Sequence, residues 1–217
     1  MNANSMTPRI AILDYAMGNL HSVSKALEHA GAAVEMVTHG RAIGAHDALV
    51  LPGVGHFRDG LEHLRARQMD EPVCAWIASG KPFLGICLGM QMLLEESEEA
   101  PGVPGLGVCR GRVVRFRPSD HAMKVPQMGW NEVRARSGCP LFDGIPPCSH
   151  FYFVHSYYAV PGDADVVGGE TEYGVNYCSV LWRGQMYATQ FHPEKSQRAG
   201  LRMLGNFVAH VRTAQGA

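Results

Sequence analysis

The length, composition and charge of the chain exclude several classes of protein. The 217 residues are 46% hydrophobic and 18% charged, and the formal net charge is −1 at pH 7. This length allows one sizeable hydrophobic core, and the neutral balance argues against a nucleic-acid-binding protein or a polybasic membrane anchor. No apolar stretch is long enough to span a bilayer, and residues 1–10 lack the apolar segment of a signal peptide. We therefore expect a cytoplasmic protein that binds neither nucleic acid nor membrane.

The first half of the sequence predicts alternating strands and helices. Apolar strands are predicted at 9–15, 33–38, 48–53 and 82–86. Helices are predicted at 17–31, 56–68, 70–79 and from 88 to about 97. Nearly continuous apolar strands that alternate with helices predict an α/β fold, with a mostly parallel central sheet flanked by helices.

The second half of the sequence is rich in strands separated by Gly, Pro and Asp. The predicted strands are 111–116, 126–136, 150–160, 166–174 and 175–190, and a closing helix is predicted at 198–211. We expect an additional antiparallel portion joined to the α/β core. Because no linker, internal repeat or low-complexity segment interrupts the chain, the sequence predicts a single domain at 9–211 with flanking tails at 1–8 and 212–217.

Of the six cysteines, at 74, 87, 109, 139, 148 and 178, only Cys87 has a distinctive setting. The cysteines form no C-x-x-C pair, and none has zinc-site spacing to histidine. Cys87 lies in Gly85-Ile86-Cys87-Leu88-Gly89, between a predicted strand and a predicted helix. The glycines permit a tight turn that presents the thiol above the sheet, and a helix N-terminus favours the thiolate. Cys87 is therefore a candidate nucleophile; the alternative is a packed cysteine at a close strand–helix crossing.

A second motif, QFHPEKS at 190–196, offers the base that a cysteine nucleophile needs. His192 directly follows a predicted strand, where loops carry chemistry in open α/β folds. Pro193 favours an extended backbone at His192, so Glu194, two residues on, should face the same side. Glu194 could then hold one imidazole nitrogen, as the third member of a triad does. The alternative is a solvated histidine followed by a helix-capping glutamate.

Together, the two motifs resemble the triad-type, class I glutamine amidotransferases. The resemblance implies that Cys87 is the nucleophile, that His192 is the general base and acid, and that Glu194 orients His192. It also implies an oxyanion hole formed by the backbone amide of Leu88 and by the Gly-rich loop. In this sequence the loop is PGVG, which contains Gly53 and Val54. Each donor to a developing oxyanion contributes about 3 kcal/mol.

The reaction implied by this resemblance is hydrolysis of L-glutamine to glutamate and ammonia through a thioester on Cys87. Gln91 follows Cys87 by one helical turn, on the same face. It matches the family residue that holds the amino-acid end of the substrate. The resemblance assigns further glutamine contacts to Gly55, Ser156 and Tyr157.

Five segments also resemble, in order, the glutaminase subunits of imidazole glycerol phosphate synthase. They are DYAMGNL, LPGVGHF, PQMGWNEV, FYFVHSYY and ATQFHPEKS. The resemblance implies a heterodimer with a cyclase subunit of barrel fold, in which the ammonia is used to make imidazole glycerol phosphate and aminoimidazole carboxamide ribotide in histidine biosynthesis. It implies no metal or organic cofactor in this subunit. The sequence departs from the family pattern at Gln127, where His is more usual.

The resemblance further implies that Met128, Trp130 and Asn131 contact the cyclase. Without it, Trp130 would be interpreted as an anchor of the hydrophobic core. Two other functions remain open: a hydrolase or redox-responsive protein that acts alone, and a glutamine-binding regulator without catalysis. The complete triad argues against the regulator, and the docking stretch argues against the lone hydrolase.

Overall fold

The computed structural model of the chain describes residues 7–118 and 123–214, and it has an α/β fold. The strands of the first half are β1 (Arg9–Leu13), β2 (Ala33–Val37), β3 (Ala48–Gly53), β4 (Phe83–Cys87), β5 (Glu96–Ser97) and β6 (Gly111–Arg115). Those of the second half are β7 (Gln127–Glu132), β8 (Arg134–Ala135), β9 (His150–His155), β10 (Tyr157–Pro161), β11 (Val167–Glu172), β12 (Asn176–Arg183) and β13 (Met186–Thr189). The helices are α1 (Leu20–His29), α2 (Phe57–Ala66), α3 (Asp70–Ala78), α4 (Leu88–Gln91) and α5 (Gln197–Ala214).

One large sheet forms the centre of the molecule, in the order β2-β1-β3-β4-β13-β12-β10-β6-β5. Strand β11 also pairs with β12, and β8 pairs with β11. All neighbours from β2 to β13 are parallel. From β13 to β6 the neighbours are antiparallel. Strands β7 and β9 form a separate antiparallel sheet. These features confirm the predicted fold class.

Helices cover both faces of the parallel part of the sheet. Along β1, Ala11 and Leu13 face a core that includes residues of α2 and α3, whereas Ile10 and Ile12 face a core that includes residues of α1 and α5. Helix α5 buries a stripe of apolar side chains at helical spacing: Met203, Leu204, Phe207, Val208 and Val211. Within residues 7–118 and 123–214, no helix combines the length and the apolar character needed to cross a membrane.

The helix predicted from 88 to about 97 is wrong beyond its first turn. Helix α4 ends at Gln91, and the chain then forms the short strand β5. The backbone N–H of Glu95 donates to the carbonyl of Gly111, 3.1 Å away, so tertiary pairing replaces further helical bonds. A helix of four residues aligns few peptide dipoles, and the dipole therefore adds little to the setting of Cys87.

Three of the strands predicted in the second half are each divided in two. The predicted strand 150–160 changes sheet at Ser156, because β9 pairs with β7 whereas β10 pairs with β12 and β6. The predicted strand 175–190 turns at Gly184, which has a φ of 58°. The division of the chain into a domain at 9–211 and two tails stays a prediction, since residues 1–6 and 215–217 lie outside the described residues.

Candidate active site

The carboxyl ends of three neighbouring parallel strands bring the predicted motifs together. Gly53 of β3 pairs with Cys87 of β4, and Ile86 of β4 pairs with Thr189 of β13. The Gly-rich loop, the candidate nucleophile and the segment that carries His192 therefore leave the sheet at one edge. Ligands of open α/β sheets bind at such an edge.

Cys87 occupies a sharp turn that two glycines make possible. Its φ of 55° and ψ of −108° are rare for a residue with a side chain and cost about 1–3 kcal/mol. A Cβ on Gly89 would overlap the carbonyl oxygen of Leu51, and a Cβ on Gly85 would lie 3.1 Å from the Cβ of Ala188. The close approach of the turn to β3 therefore requires glycine at position 89, and a side chain at position 85 would push its neighbours apart by a few tenths of an ångström.

His192 and Glu194 form a buried pair beside this turn. The Nδ1 atom of His192 lies 2.8 Å from Oε1 of Glu194, and both side chains are at most 3% exposed. His192 has the predicted extended backbone, but Glu194 lies in a 3₁₀ turn, Pro193–Lys195. The predicted extended geometry is therefore wrong for Glu194, because the proline starts a turn that carries the carboxylate back to the imidazole.

The surroundings of His192 favour its protonated form. Burial lowers the pKa of His192, but the nearby Cys87 and Glu194 outweigh this effect and raise the pKa to about 10. Nε2 of His192 is buried and makes no hydrogen bond among the described residues. Cys87 lies close enough to His192 to raise the pKa of the imidazole. An imidazolium at neutral pH is suited to stabilise a thiolate and later to donate its proton.

Ser196, which the sequence did not identify, fixes the backbone of His192. The hydroxyl of Ser196 donates to the carbonyl of His192 at 2.6 Å, and it accepts the N–H of Tyr152 at 2.9 Å. The N–H of His192 in turn donates to the carbonyl of Tyr152 at 3.0 Å. These bonds tie the segment after β13 to β9.

Two buried amides connect Cys87 to the strand β10. Gln190 is fully buried, and its Nε2 lies 3.7 Å from Sγ of Cys87. Its Oε1 accepts a hydrogen bond from Nε2 of Gln91 at 3.0 Å, and the same Nε2 donates to the carbonyl of Tyr157 at 3.0 Å. Both amide hydrogens of Gln91 therefore have partners inside the protein, which leaves its Oε1 available to a ligand.

A cavity of about 270 Å³ opens beside Cys87. It is lined by Val54, Gly55, Cys87, Leu88, Gln91, Glu99, Pro126, Val154, His155, Ser156 and Tyr157. The predicted substrate residues, together with Val54 and Leu88 of the predicted oxyanion hole, therefore line a single cavity. Gly53 does not line it, but pairs with Cys87 in the sheet.

Glu99 is a cavity residue that the sequence gave no reason to select, because it ends the acidic run EESEE, which is typical of a solvated surface. One of its oxygens accepts the N–H of Phe57 at 2.8 Å. A carboxylate here, together with the free Oε1 of Gln91, offers hydrogen-bond acceptors to a ligand. Such acceptors suit the ammonium group of an amino acid.

Tyr15 packs against the Gly-rich loop and holds it by a hydrogen bond. Its fully buried hydroxyl donates to the carbonyl of Pro52 at 2.7 Å. Burial, and to a smaller extent Cys87, raises the pKa of Tyr15, so the hydroxyl stays a donor. A Cβ on Gly53 would overlap this hydroxyl. The first glycine of the loop is therefore required by close packing.

His155, at the back of the cavity, is neutral at pH 7. Burial lowers its pKa to about 4. Nδ1 lies 2.8 Å from the carbonyl of Tyr157, which can only accept, so Nδ1 carries the hydrogen and Nε2 is an acceptor. The hydroxyl of Tyr177, 3.3 Å from Nε2, must then be the donor to His155.

The hydrogen of Tyr177 cannot also be donated to Gln127. Oε1 of Gln127 lies 2.8 Å from the Tyr177 oxygen, and the buried Nε2 of Gln127 has no partner in the described part of the chain. Rotation of this amide by 180° exchanges the two atoms and gives Tyr177 a donor. Gln127 is only 3% exposed. The departure from the family pattern at this position therefore belongs to a buried polar network.

The predicted docking residues lie on a surface next to the cavity. Met128 and Trp130 on β7 are 66% and 46% exposed, and Nδ2 of Asn131 donates to the carbonyl of Glu172 at 2.8 Å. All three line a groove of about 600 Å³. The alternative that Trp130 anchors the core is wrong. Pro126, which precedes β7, lines the cavity itself.

Metal binding and disulfide formation are the other kinds of chemistry that the His, Cys, Asp and Glu side chains could support. Among residues 7–118 and 123–214, no group of three or more His, Cys, Asp or Glu side chains could hold a metal ion. The cysteines at 74, 87, 109, 139, 148 and 178 are free thiols.

Comparisons with known proteins agree on one family. The family model for class-I glutamine amidotransferases matches residues 11–211. The imidazole glycerol phosphate synthase subunit HisH of Syntrophotalea carbinolica is 48% identical over 202 residues, which cover 91% of this chain and 98% of that protein. The HisH subunit of Methylococcus capsulatus is 49% identical, over 92% of this chain and 95% of that protein.

Solved structures with a similar fold have much lower identity. PurLQS from Thermotoga maritima matches with a TM-score of 0.72 at 18% identity, over 98% of this chain and all of that chain. The glutaminase domain of CTPS from Trypanosoma brucei matches with a TM-score of 0.67 at 15% identity, over 96% of this chain and 94% of that chain. At these identities the similarity is one of fold alone.

Proposed function

The chain belongs to the class I glutamine amidotransferases, and within them to the HisH subunits of imidazole glycerol phosphate synthase; on this premise we propose that it hydrolyses L-glutamine with Cys87, His192 and Glu194. The observation that carries the proposal is the buried His192–Glu194 pair, 2.8 Å apart, beside the strained turn of Cys87. A raised pKa at His192 supports a resting imidazolium next to the nucleophile.

In the proposed reaction, the thiolate of Cys87 attacks the carbon of the substrate's side-chain amide. The N–H of Leu88 and an N–H of the loop at Gly53 and Val54 stabilise the oxyanion. His192 gives its proton to the departing ammonia, and a thioester remains on Cys87. His192 then takes a proton from water, which attacks the thioester and releases glutamate. Glu194 holds the imidazole in place throughout.

We assign the amino-acid end of glutamine to the far side of the 270 Å³ cavity. The carboxylate of Glu99 and the free Oε1 of Gln91 accept hydrogen bonds from the substrate ammonium. Gly55, Ser156 and Tyr157 line the same cavity as Cys87 and would contact the bound glutamine. The assignment is supported by the charge of Glu99, because an anionic acceptor forms stronger hydrogen bonds with a cation.

The proposed partner is a cyclase subunit with a barrel fold, joined to this chain in a heterodimer. Met128, Trp130 and Asn131 would contact it through the groove on β7, next to the cavity. Ammonia would pass to the cyclase, which would form imidazole glycerol phosphate and aminoimidazole carboxamide ribotide. The exposure of Met128 and Trp130 supports this assignment, since Met and aromatic residues are enriched in interfaces.

The proposal is tested by measuring glutamate released from glutamine by the chain alone and by the chain mixed with the cyclase. A synthase subunit releases glutamate faster when the cyclase and its nucleotide are present. Equal rates with and without the cyclase would indicate a hydrolase that acts alone. No glutamate in either mixture would indicate a binding protein without catalysis.

A further inference from the structure

Gln190 has a fixed orientation at the nucleophile. It directly follows β13, and its backbone N–H donates to the carbonyl of Ser179 at 2.9 Å. Because Nε2 of Gln91 must donate, the end of the Gln190 amide that it meets, 3.0 Å away, is the oxygen. The nitrogen therefore points to Sγ of Cys87, 3.7 Å away. Here the hydrogen-bond network decides between the two amide orientations.

From this arrangement we propose that Gln190 is a further catalytic residue, which donates a hydrogen bond from Nε2 to the Cys87 thiolate. The proposal rests on the proposed glutaminase function. A buried amide N–H is worth most when its acceptor is charged. Gln190 is fully buried, so water does not compete for this donor.

The donor acts twice in the proposed reaction. Before attack, it stabilises the thiolate together with the His192 imidazolium and fixes the direction of the sulfur. When water attacks the thioester, the C–S bond breaks and its electron pair returns to sulfur, which again needs a donor. Both effects act on kcat, because they concern the sulfur and not the binding of free glutamine.

Gln190 also connects the nucleophile to the substrate. Its Oε1 holds Gln91, whose own Oε1 is left for the substrate ammonium. A single pair of amides thus sets the distance between the reacting sulfur and the amino-acid end of glutamine. Loss of the Gln190 oxygen should therefore affect KM through Gln91, whereas loss of the nitrogen should affect kcat.

Two substitutions separate these roles. Gln190→Glu keeps an oxygen for Gln91 but replaces the donor by an acceptor, so kcat for glutamine should fall at least about tenfold while KM changes little. Gln190→Met removes both groups, so kcat should fall and KM should rise. Gln185→Met is the matched control, because Gln185 precedes β13 at the opposite end of the strand and its buried Oε1 has no partner among the described residues.

The decisive readout is alkylation of Cys87 by iodoacetamide as a function of pH, followed at that cysteine by peptide mass spectrometry. Both Gln190 variants should react more slowly at neutral pH, with profiles moved to higher pH, whereas Gln185→Met should match the unmodified chain. A calorimetric scan of each lone variant reports its folding and a titration with the cyclase reports its docking, and both should be unchanged.

Unaltered alkylation profiles and an unaltered kcat in both variants would overturn the proposal. If Gln190→Met does not fold, Gln190→Glu decides alone, since it preserves the bond to Gln91. If the unmodified complex does not turn over glutamine, the proposed function fails, but the alkylation profiles still decide whether Gln190 stabilises the thiolate.

Discussion

Two buried histidines near Cys87 differ in charge at neutral pH, one protonated and one neutral, because their partners differ. His192 faces Cys87 and Glu194, and its pKa is raised to about 10. Among residues 7–118 and 123–214, His155 has only the carbonyl of Tyr157 and the hydroxyl of Tyr177 as hydrogen-bond partners, and burial lowers its pKa to about 4. Charge at this site thus depends on tertiary contacts, which the sequence does not reveal for either residue.

The raised pKa of His192 predicts a pH-dependent contribution to stability. Because the folded chain binds this proton more tightly than the unfolded chain, the contribution is fully present below about pH 6.5 and is lost as pH rises towards 10. Glu194→Gln removes one of the two contacts that raise the pKa of His192. The difference in melting temperature between the unmodified chain and Glu194→Gln should therefore be largest near pH 6 and should shrink by pH 10.

Calorimetric scans of both proteins from pH 6 to 10 measure this difference. Comparison with the variant cancels the ionisation of groups that do not interact with His192 or Glu194. A difference that stays constant over this range would mean that Glu194 does not hold the proton on His192.

At the scale of elements, the turn from β4 to α4 is tightly packed against its neighbours. Gly89 lies against the backbone of Leu51, and Gly85 lies against Ala188 and the carbonyl of Gly89. Neighbouring strands β3 and β13 supply these contacts. The position of Cys87 is therefore determined by the sheet on both sides of its strand.

Gly89→Ala should damage both stability and activity, because the new Cβ would overlap the carbonyl oxygen of Leu51 and force the turn to move. We expect a destabilisation of about 1–3 kcal/mol, as for overpacked cores, and a large loss of glutamine turnover. Gly205→Ala in α5 is the matched control, because no atom of the residues that the structure describes lies within 4 Å of its new Cβ. It should stabilise the helix by up to about 1 kcal/mol.

Urea unfolding measures the free energy of unfolding of Gly89→Ala and of Gly205→Ala. Glutamate release from each complex measures the activity. Equal stabilities and equal activities for Gly89→Ala and the unmodified chain would contradict the packing described for the turn.

The sequence predicted most elements because local signals and tertiary structure agree. Helix α1 follows a capping Asn19, whose side chain accepts the N–H of Ser22, and Gly31 with a φ of 89° lies just beyond its end. Prediction failed where tertiary pairing overrides local preference. The apolar residues after Gln91 have helical spacing, yet pairing with residues near Gly111 ends the helix. The insertion of β13 beside β4 also depends on long-range contacts.

At the scale of the whole molecule, the proposed docking surface lies directly next to the cavity. The segment from Pro126 to Trp130 passes from the cavity to the exposed groove, and Gln127 between them is buried. Trp130 also packs edge-on against Tyr152, whose backbone is bonded to His192. A partner on this surface would lie close to the site of ammonia release.

Trp130→Ala should weaken binding of the cyclase without destabilising the isolated chain, because Trp130 is 46% exposed. Loss of an interface hot spot of about 2 kcal/mol corresponds to about thirtyfold weaker binding, and partner-stimulated glutaminase should fall with it. Trp182→Ala is the control, since Trp182 lies against Arg136 and outside the groove. It should leave the affinity unchanged.

A titration with the cyclase and a calorimetric scan of each lone variant test this prediction. A large drop in melting temperature for Trp130→Ala, with unchanged affinity, would remove the argument that the partner docks on β7.

The motifs pointed to the candidate site, but not to its supporting residues. Cys87 and His192 lie in patterns that short sequences can reveal. Glu99, Gln190 and Ser196 gain their significance only from the fold: Glu99 by facing the cavity, Gln190 by its contact with Cys87, and Ser196 by its bonds to His192 and Tyr152. Gln190 and Ser196 stand at the two ends of QFHPEKS, but that motif does not reveal these contacts, and Glu99 lies in none of the quoted motifs.

The central claim is that Cys87 attacks glutamine and that the partner needs only the ammonia. The most direct test is synthesis by the complex that contains Cys87→Ala, fed either with glutamine or with an ammonium salt. We predict no synthesis from glutamine and synthesis from ammonium at the rate of the unmodified complex. Continued turnover of glutamine by the Cys87→Ala complex would show that Cys87 is not the nucleophile.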